Sequence, residues 1–499
     1  MNKYAAAGAA AVLAALVFIP PVIGSFTEAR VMAQAERIET LSEDTYRIEV
    51  LDYEGGWFGS TARVNVGLGE TYIEQLTAMA TRDQEGESAV MVAEYLRAEL
   101  SRERTLIVEI GHGPVMLGGG GVQVGVLSAV IRPDPDAQGL AAWLETLEIP
   151  YLFEVRTVLG MTGTTRFAGD VPPLEIDGPD GRVSFSGLTV EGAFNLQRRQ
   201  IDARGAIESL SVDDADWGSI AIDDVLWTAD VTGFSPTLWL GDVAMEVGSF
   251  TSAGVGPDGP VNLALSRAGA LFDTTLDASG ELVTIEGRYY VDSLTGPDGL
   301  DLADASFAFA LREFSREAVE AYSIYGRQIA VSPETAPPLF PGVENLIYLT
   351  LASSPSVEVG PLEFQWNDQP FEADLRIEFD GSDLPERAEF TMFNFRAILE
   401  AISVEAYADM SDEIAHSLAE ANVKRQLRSS AEALGKEIPA ADLESLARTQ
   451  AEGLLSDLVL QGMIDTSATG YRSDLTFIDG ELSINGNGIP LGTLLQVPF

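Results

Sequence analysis

The stretch Leu475-Thr476-Phe477-Ile478-Asp479-Gly480-Glu481-Leu482-Ser483-Ile484 decides the fold class. Asp479-Gly480 sits between two short β-prone runs, which is the sequence signature of a tight hairpin, because the favoured two-residue turns need φ > 0. Turn chemistry recurs upstream, where Gly-Pro-Asp-Gly occurs at Gly178–Gly181, Gly256–Gly259 and Gly296–Gly299. Proline presets φ for the first central position of a type I turn, aspartate suits the second, and the closing glycine accepts φ > 0. The sharper reading of these Asp/Gly clusters is a calcium loop. None carries the alternating aspartate series closed by a glutamate at the twelfth position.

Between the turns the chain alternates with the period of two that marks a half-buried strand. Val64, Val66 and Leu68 share one face of Arg63–Leu68. Val183 and Phe185 begin a second run, which slips at Gly187 and resumes as Leu188, Val190, Gly192, Phe194 and Leu196. A slip at glycine predicts a β-bulge. Further strands are expected at Ile201–Ser211, Gly218–Val231, Val283–Val291, Asp374–Phe379, Glu389–Phe393 and within Leu475–Ile484.

Helical spacing appears in three places. Leu140, Trp143, Leu144 and Leu147 share a face of Asp136–Leu147, ahead of Pro150. Ser315–Arg327 is a second helix, with Ser315 as N-cap and Glu317 and Glu320 in its early turns. A third block covers 395–463. Its stripes are Ile414, Leu418 and Ala421, then Leu427, Ala431 and Leu434, then Leu443, Leu446, Ala447, Leu454 and Leu458, with Glu413, Glu420, Glu432 and Glu444 opposite. Core packing is the ordinary meaning of such stripes.

The expected fold class is therefore α+β, mainly antiparallel β. An extended, twisted or curved sheet makes up a β-rich body at 46–394, followed by a helical subdomain at 395–463. A C-terminal hairpin and tail at 464–499 return to the sheet. Residues 1–24 form a transmembrane anchor and 25–45 a juxtamembrane helix. The anchor rests on the uncharged stretch Tyr4–Ile23, since about twenty residues cross a ~30 Å hydrocarbon layer. A cleaved signal peptide ending near Val22-Ile23-Gly24 is the alternative. With three residues before the segment, the rest of the chain is expected in the bacterial periplasm, on a single-pass inner-membrane anchor.

Composition bounds the chemistry. The 499 residues carry 77 acidic against 30 basic side chains, a formal charge of −47, no cysteine and two histidines. Without cysteine there are no disulfides, thiolate nucleophiles or thiolate metal sites. So few cations, diluted along an acidic chain, give no footprint for nucleic acid. His112 and His416 stand some three hundred residues apart with no nucleophile elbow or zinc pattern around either. Gly118–Gly121 lacks the Gly-Lys-Ser/Thr of a phosphate loop and reads as a flexible loop. No catalytic residue, metal site or cofactor is assigned.

Three stretches resemble the bacterial YdgA-like family (domain of unknown function family 945). Tyr53-Glu54-Gly55-Gly56-Trp57-Phe58-Gly59-Ser60 is similar to its Tyr-x-x-Gly-Trp-Phe-Ser-Ser signature, with Gly59 in place of the first serine. His112-Gly113-Pro114 matches its His-Gly-Pro. Gly480-Glu481-Leu482-Ser483-Ile484-Asn485-Gly486 is similar to its closing Gly-x-Leu-x-x-Asn-Gly, with Asn487 where a basic residue is frequent. The resemblance implies a periplasm-facing protein on one N-terminal anchor and carries over no activity.

The residues themselves have structural readings. Gly56, Trp57, Phe58 and Ser60 suit a bent strand whose aromatics cap a core edge. His112, Gly113 and Pro114 suit a tight turn. Gly480, Asn485 and Gly486 suit hairpin turns, and the apolar tail Leu491–Phe499 is expected to dock. Two functions compete. One is a structural or interaction role in the envelope, with another envelope protein or a second copy as partner. The other is carriage of lipid or another apolar ligand along a sheet face, by analogy with other anchored β-rich envelope proteins. An open groove lined by apolar side chains favours the carrier, and a filled core favours the scaffold.

Overall fold

The computed structural model describes residues 46–489, apart from 56–58, 82–86, 113–114, 119–120, 125–126, 137–139, 161, 179–180, 196, 215–217, 236, 257–258, 298–299, 332–338, 388, 392–394, 434–438 and 479. The anchor expected at Tyr4–Ile23, the helix expected at 25–45 and the tail Leu491–Phe499 lie outside the described residues. Among the described residues no helix is long and apolar enough to cross a membrane. The architecture is mostly antiparallel β in an open sheet, with helices set between strands. The chain divides into two compact units, Met1–Met245 with Ser323–Ala336, and Glu246–Tyr322 with Pro337–Phe499.

In the first unit the strands are β1 (Tyr46–Gly55), β2 (Gly59–Leu68), β3 (Arg104–His112), β4 (Val115–Gly118), β5 (Gly121–Val124), β6 (Leu127–Pro133), β7 (Glu154–Leu159), β8 (Thr164–Val171), β9 (Leu174–Gly178), β10 (Gly181–Phe185), β11 (Leu188–Asn195), β12 (Gln200–Asp214) and β13 (Gly218–Gly233). β14 (Trp239–Gly256) carries the chain across the division. Helices α1 (Glu70–Thr81) and α2 (Glu87–Leu100) separate β2 from β3, and α3 (Leu140–Thr146) separates β6 from β7. Strands β1, β2, β3, β6, β7, β8, β11, β12 and β13 pair antiparallel in that order, and the β9–β10 hairpin joins the far half of β12.

Alternation places every second residue of these strands on one face, and at the N-terminal end that face is a filled core. Val64 and Ile131 are each 1% exposed and pack with Val108, Leu127, Phe153 and Val155. A second cluster follows around Phe167, Val190, Phe194 and Ala203. Gly205 lies opposite Trp227, whose indole Nε1 would sit 2.2 Å from any Cβ placed there. The glycine therefore makes room for the ring.

The slip at Gly187 is present but is not a bulge. Phe185 faces Leu210 and Leu188 faces Ile207, so the register along β12 runs straight through the break. The neighbouring pairing is interrupted at the same level, between Ile207↔Val225 and Ser209↔Asp223, where Asp224 has φ +54°. Because the three strands change phase together, no extra residue is needed. The glycine run Gly118–Gly121, expected as a loop, joins a hairpin in which Gly118 pairs with Gly121.

The second unit contains β15 (Gly259–Leu276), β16 (Leu282–Thr295), β17 (Asp301–Ser315), α4 (Arg316–Val331, shared with the first unit), α5 (Leu339–Ala352), β18 (Ser356–Trp366), β19 (Gln369–Phe379), α6 (Phe395–Glu400), β20 (Ile402–Ser411), α7 (Asp412–Ala433), α8 (Ala440–Leu460), β21 (Asp465–Thr466), β22 (Gly470–Ile478), β23 (Glu481–Ile484) and β24 (Asn487–Ile489). From β15 the strands pair antiparallel in chain order as far as β20, then β20 with β22, β22 with β23 and β23 with β24. The C-terminal hairpin is thus the one the Asp-Gly pair predicts, with Ile478 facing Glu481 and Gly480 at φ +76°.

Three expectations are corrected here. Glu389–Phe393 is not a strand where it is described. The amides of Glu389 and Phe390 both donate to the Glu386 carbonyl, which closes a turn. The span 395–463 is not wholly helical, because Ile402–Ser411 is a strand bonded on both edges, to β19 and β22. The helical stripes are out of phase in part: Ile414, Ala431, Leu443 and Ala447 are buried as expected, but other members are not. Leu418 and Leu446 are 47% and 46% exposed, while Ala415, Ala419, Ala451 and Leu455 are buried beside Met410, Ile464 and Tyr471. Small residues let α7 and α8 approach closely, so the seam selects alanine where hydrophobicity alone selects leucine. Glu420 turns toward this seam as well, 3.6 Å from Arg448 on the other helix.

Candidate functional site

The second unit turns one face of its long strands into a band of apolar side chains. Three rows cross it through the strand register. One runs Ile285, Leu311, Val357, Ile377, Val404, Phe477. The next runs Phe272, Gly287, Phe309, Val359, Leu375, Ala406, Leu475. The third runs Ala270, Tyr289, Phe307, Leu362, Ala373, Ala408. Seven adjacent strands with neighbours ~4.8 Å apart make the middle row about 29 Å long.

Aromatic rings crowd one part of the band. Phe272 meets Tyr289 edge-on with centroids 5.5 Å apart, Phe307 lies 6.1 Å from Tyr289, and Phe364 stacks on Phe371 at 4.5 Å. Gly287 takes part by absence, since a Cβ there would lie 2.2 Å from the ring of Phe309. Beyond the third row Leu265, Leu294 and Leu302 lead in register to Trp366.

The band differs from the first unit's core in how far it is closed. Of the middle row only Gly287 is buried, and the other members are half-buried. Tyr289 is 43% exposed. The alternate positions of the same strands face the other way, and many of them are charged. Arg312 bridges Glu286 and Glu358, and Arg376 pairs with Glu358 and Glu378. Exposed pairs of this kind contribute about 0–1 kcal/mol each, so they keep the outer face in water more than they hold the sheet together. On that face the Tyr290 hydroxyl donates to Glu246 at 2.5 Å. The bond raises the tyrosine pKa and lowers that of the carboxyl. A similar pair in the first unit, Tyr151 on Asp170, pushes the phenol up to about 12 through its hydrogen bond to the carboxylate.

The sequence motifs fall into two separate places. Gly59 lies opposite Gly111 and Ser60 opposite Ile110, so the described ends of the first two motifs are neighbours on β2 and β3. Ser60 is buried and accepts a hydrogen bond from the Tyr53 hydroxyl at 2.9 Å. His112 ends β3 facing Leu127. Gly56, Trp57, Phe58, Gly113 and Pro114 lie outside the described residues. The third motif is a clasp. Asn485 and Gly486 have φ +50° and +77°. The Asn485 side chain accepts from the Asp474 amide at 2.8 Å and donates to the Gly462 carbonyl at 3.2 Å. It ties the last turn to β22 and to the end of α8.

His416 places Nδ1 2.8 Å from the carbonyl oxygen of Asp412 on its own helix. Among the described residues no three His, Asp or Glu side chains are grouped to hold a metal. The band itself was only partly legible in sequence. The run Phe371 to Phe379 alternates without fault, whereas Val357 to Trp366 is broken by Gly360-Pro361, and the register shifts there between Val359 and Leu362.

The fold and this face define a class: a mainly antiparallel β protein whose second unit carries a half-buried apolar band on one face of its sheet. The matched family model covers residues 1–492 and is described as a bacterial protein of unknown function, DUF945. The chain belongs to that family. No curated protein and no solved structure matches it.

Proposed function

We propose that this chain is an envelope protein held at the bacterial inner membrane by Tyr4–Ile23, with its body in the periplasm. In this reading the second unit binds the acyl chains of a lipid along its apolar band. The observation that carries the reading is the half-buried state of rows containing no charged side chain. Contiguous apolar surface beyond a few hundred Å² marks an interaction or ligand site in a folded protein. Each CH₂ removed from water contributes about 0.8 kcal/mol, so an acyl chain laid on the band gains what the open sheet leaves unused. The ~29 Å row exceeds the length of one leaflet's acyl chains, about half the ~30 Å hydrocarbon thickness of a bilayer. The filled core of the first unit supports a scaffold role for that unit alone.

The test is extraction of the purified full-length protein followed by lipid mass spectrometry. Co-purifying lipid at near one molecule or more per chain is the expected result. Lipid-free protein that also takes none from vesicles would overturn it. For location, a protease added to spheroplasts should digest the body, and a mature N-terminus near Ser25 would remove the retained anchor.

A further inference from the structure

We infer that the segment from Glu28 to Leu41 docks as a helix on the exposed face of α2, running parallel to it. The first unit leaves that face open. On α2, Val90, Met91 and Tyr95 are 58%, 66% and 55% exposed. Positions 91, 94, 95 and 98 share one side of the helix, so Met91 and Tyr95 form an apolar patch with the exposed Ala98, beside the exposed Glu94. Arg97 directs Nε and one Nη to Glu74 on α1, at 2.8 and 2.9 Å, which leaves the Glu94 carboxylate for another cation.

The chain ahead of β1 matches this face in pattern, position and charge. Val31, Ala35, Ile38 and Leu41 recur at helical spacing, with Arg30 and Arg37 on one flank and Glu28, Glu36, Glu39 and Glu43 on the other. β1 and β3 lie on either side of β2, where Tyr46 pairs with Leu68 and Arg104 with Val66. The segment before β1 and the helix before β3 therefore enter the same end of the sheet, two strand spacings of ~4.8 Å apart. That separation, about 10 Å, is the interaxial distance of packed helices. Arg37 precedes Tyr46 by nine residues and Glu94 precedes Arg104 by ten. A parallel helix thus brings Arg37 within about one turn of Glu94, and Ile38 to the level of Met91 and Tyr95. An antiparallel helix of 28–41 would need the chain to return about 20 Å in the four residues left before Tyr46, which span at most ~3.5 Å each. Packed in parallel, the link between the anchor proposed at Tyr4–Ile23 and the body is a fixed arm, whether or not the second unit binds lipid.

The chain has no cysteine, so each introduced pair reports alone. In the full-length protein in detergent, I38C/Y95C and L41C/A98C should each close an intrachain disulfide under mild oxidation, and V31C/A98C should not. Hydrogen exchange of peptides within 28–41 should be about tenfold or more slower in the native chain than in M91E/Y95E, with α1 unchanged between the two. R37E should lose part of that protection at low salt, and R37E/E94R should regain it. Disulfides that join two chains instead of closing one give the face to a second copy and overturn the inference. Exchange in α2 that slows only when vesicles are added gives the face to the membrane and overturns it too. Failure of both expected pairs to close, efficient closure of V31C/A98C, or protection of 28–41 that M91E/Y95E leaves intact overturns it outright.

Discussion

Asn485→Ala tests whether the closing family motif is a structural clasp. The native residue sits at φ +50°, accepts from the Asp474 amide at 2.8 Å and donates to the Gly462 carbonyl at 3.2 Å. Each hydrogen bond contributes a net ~1 kcal/mol, and alanine at positive φ adds about 1 kcal/mol of backbone strain that asparagine tolerates better. The loss should be about 3 kcal/mol. Asn485→Gly removes the bonds but not the conformational freedom, so about 2 kcal/mol is expected. Asn485→Asp keeps the acceptor for Asp474 and gives up the donor, about 1 kcal/mol. A chain of two units does not guarantee a two-state melt, so the assay is hydrogen exchange on peptides covering β22 and β23. A 3 kcal/mol loss corresponds to a roughly hundredfold larger local opening equilibrium constant, read as faster exchange. Glycine costing as much as alanine would refute the backbone part of the reasoning. Unchanged protection in Asn485→Ala, with lipid binding lost, would make Asn485 a ligand contact and refute the clasp.

Truncation should separate the closed core from the open band. Ile131→Ala should cost about 2–5 kcal/mol, and Leu375→Ala less, about 1.5 kcal/mol, because the native side chain is only partly buried; equal losses by urea unfolding would mean the band is covered. Ala406→Glu puts a charge in the middle row, between Leu375 and Leu475, and should abolish co-purifying lipid while leaving the circular dichroism spectrum unchanged. Retained lipid would place the ligand elsewhere. Asp277 accepts from the Ser279 hydroxyl and from the amides of Ser279, Glu281 and Leu282, which hold its pKa well below the usual carboxylate range. The stability it supplies is complete above the unfolded pKa of about 3.9 and is lost as pH falls toward the depressed folded value. Asp277→Ala should therefore lower the melting temperature at pH 7, with the gap to the native protein narrowing below about pH 4; a gap that widens on acidification would reverse the sign.

Local chemistry was legible wherever it acts between neighbours in the chain. The turn at Asp479-Gly480 and the alternations at Arg63–Leu68 and Asp374–Phe379 depend on φ preferences and on a side-chain period of two, both properties of a few consecutive residues. The same logic made antiparallel β the dominant class. It failed where a distant partner decides. Ile402–Ser411 became a strand because β19 and β22 offer it two edges, although helices lie on either side of it in sequence. The α7–α8 seam chose Ala415, Ala419 and Ala451 over Leu418 and Leu446 because the closeness of the two helices, not hydrophobicity, sets what fits between them. Openness of the band is likewise invisible in one dimension. Val64 and Leu375 occupy identical places in an alternating pattern, yet one is sealed in a core and the other only partly buried. Alternation states which face a side chain takes, and only the packing of other elements onto that face determines whether it is closed.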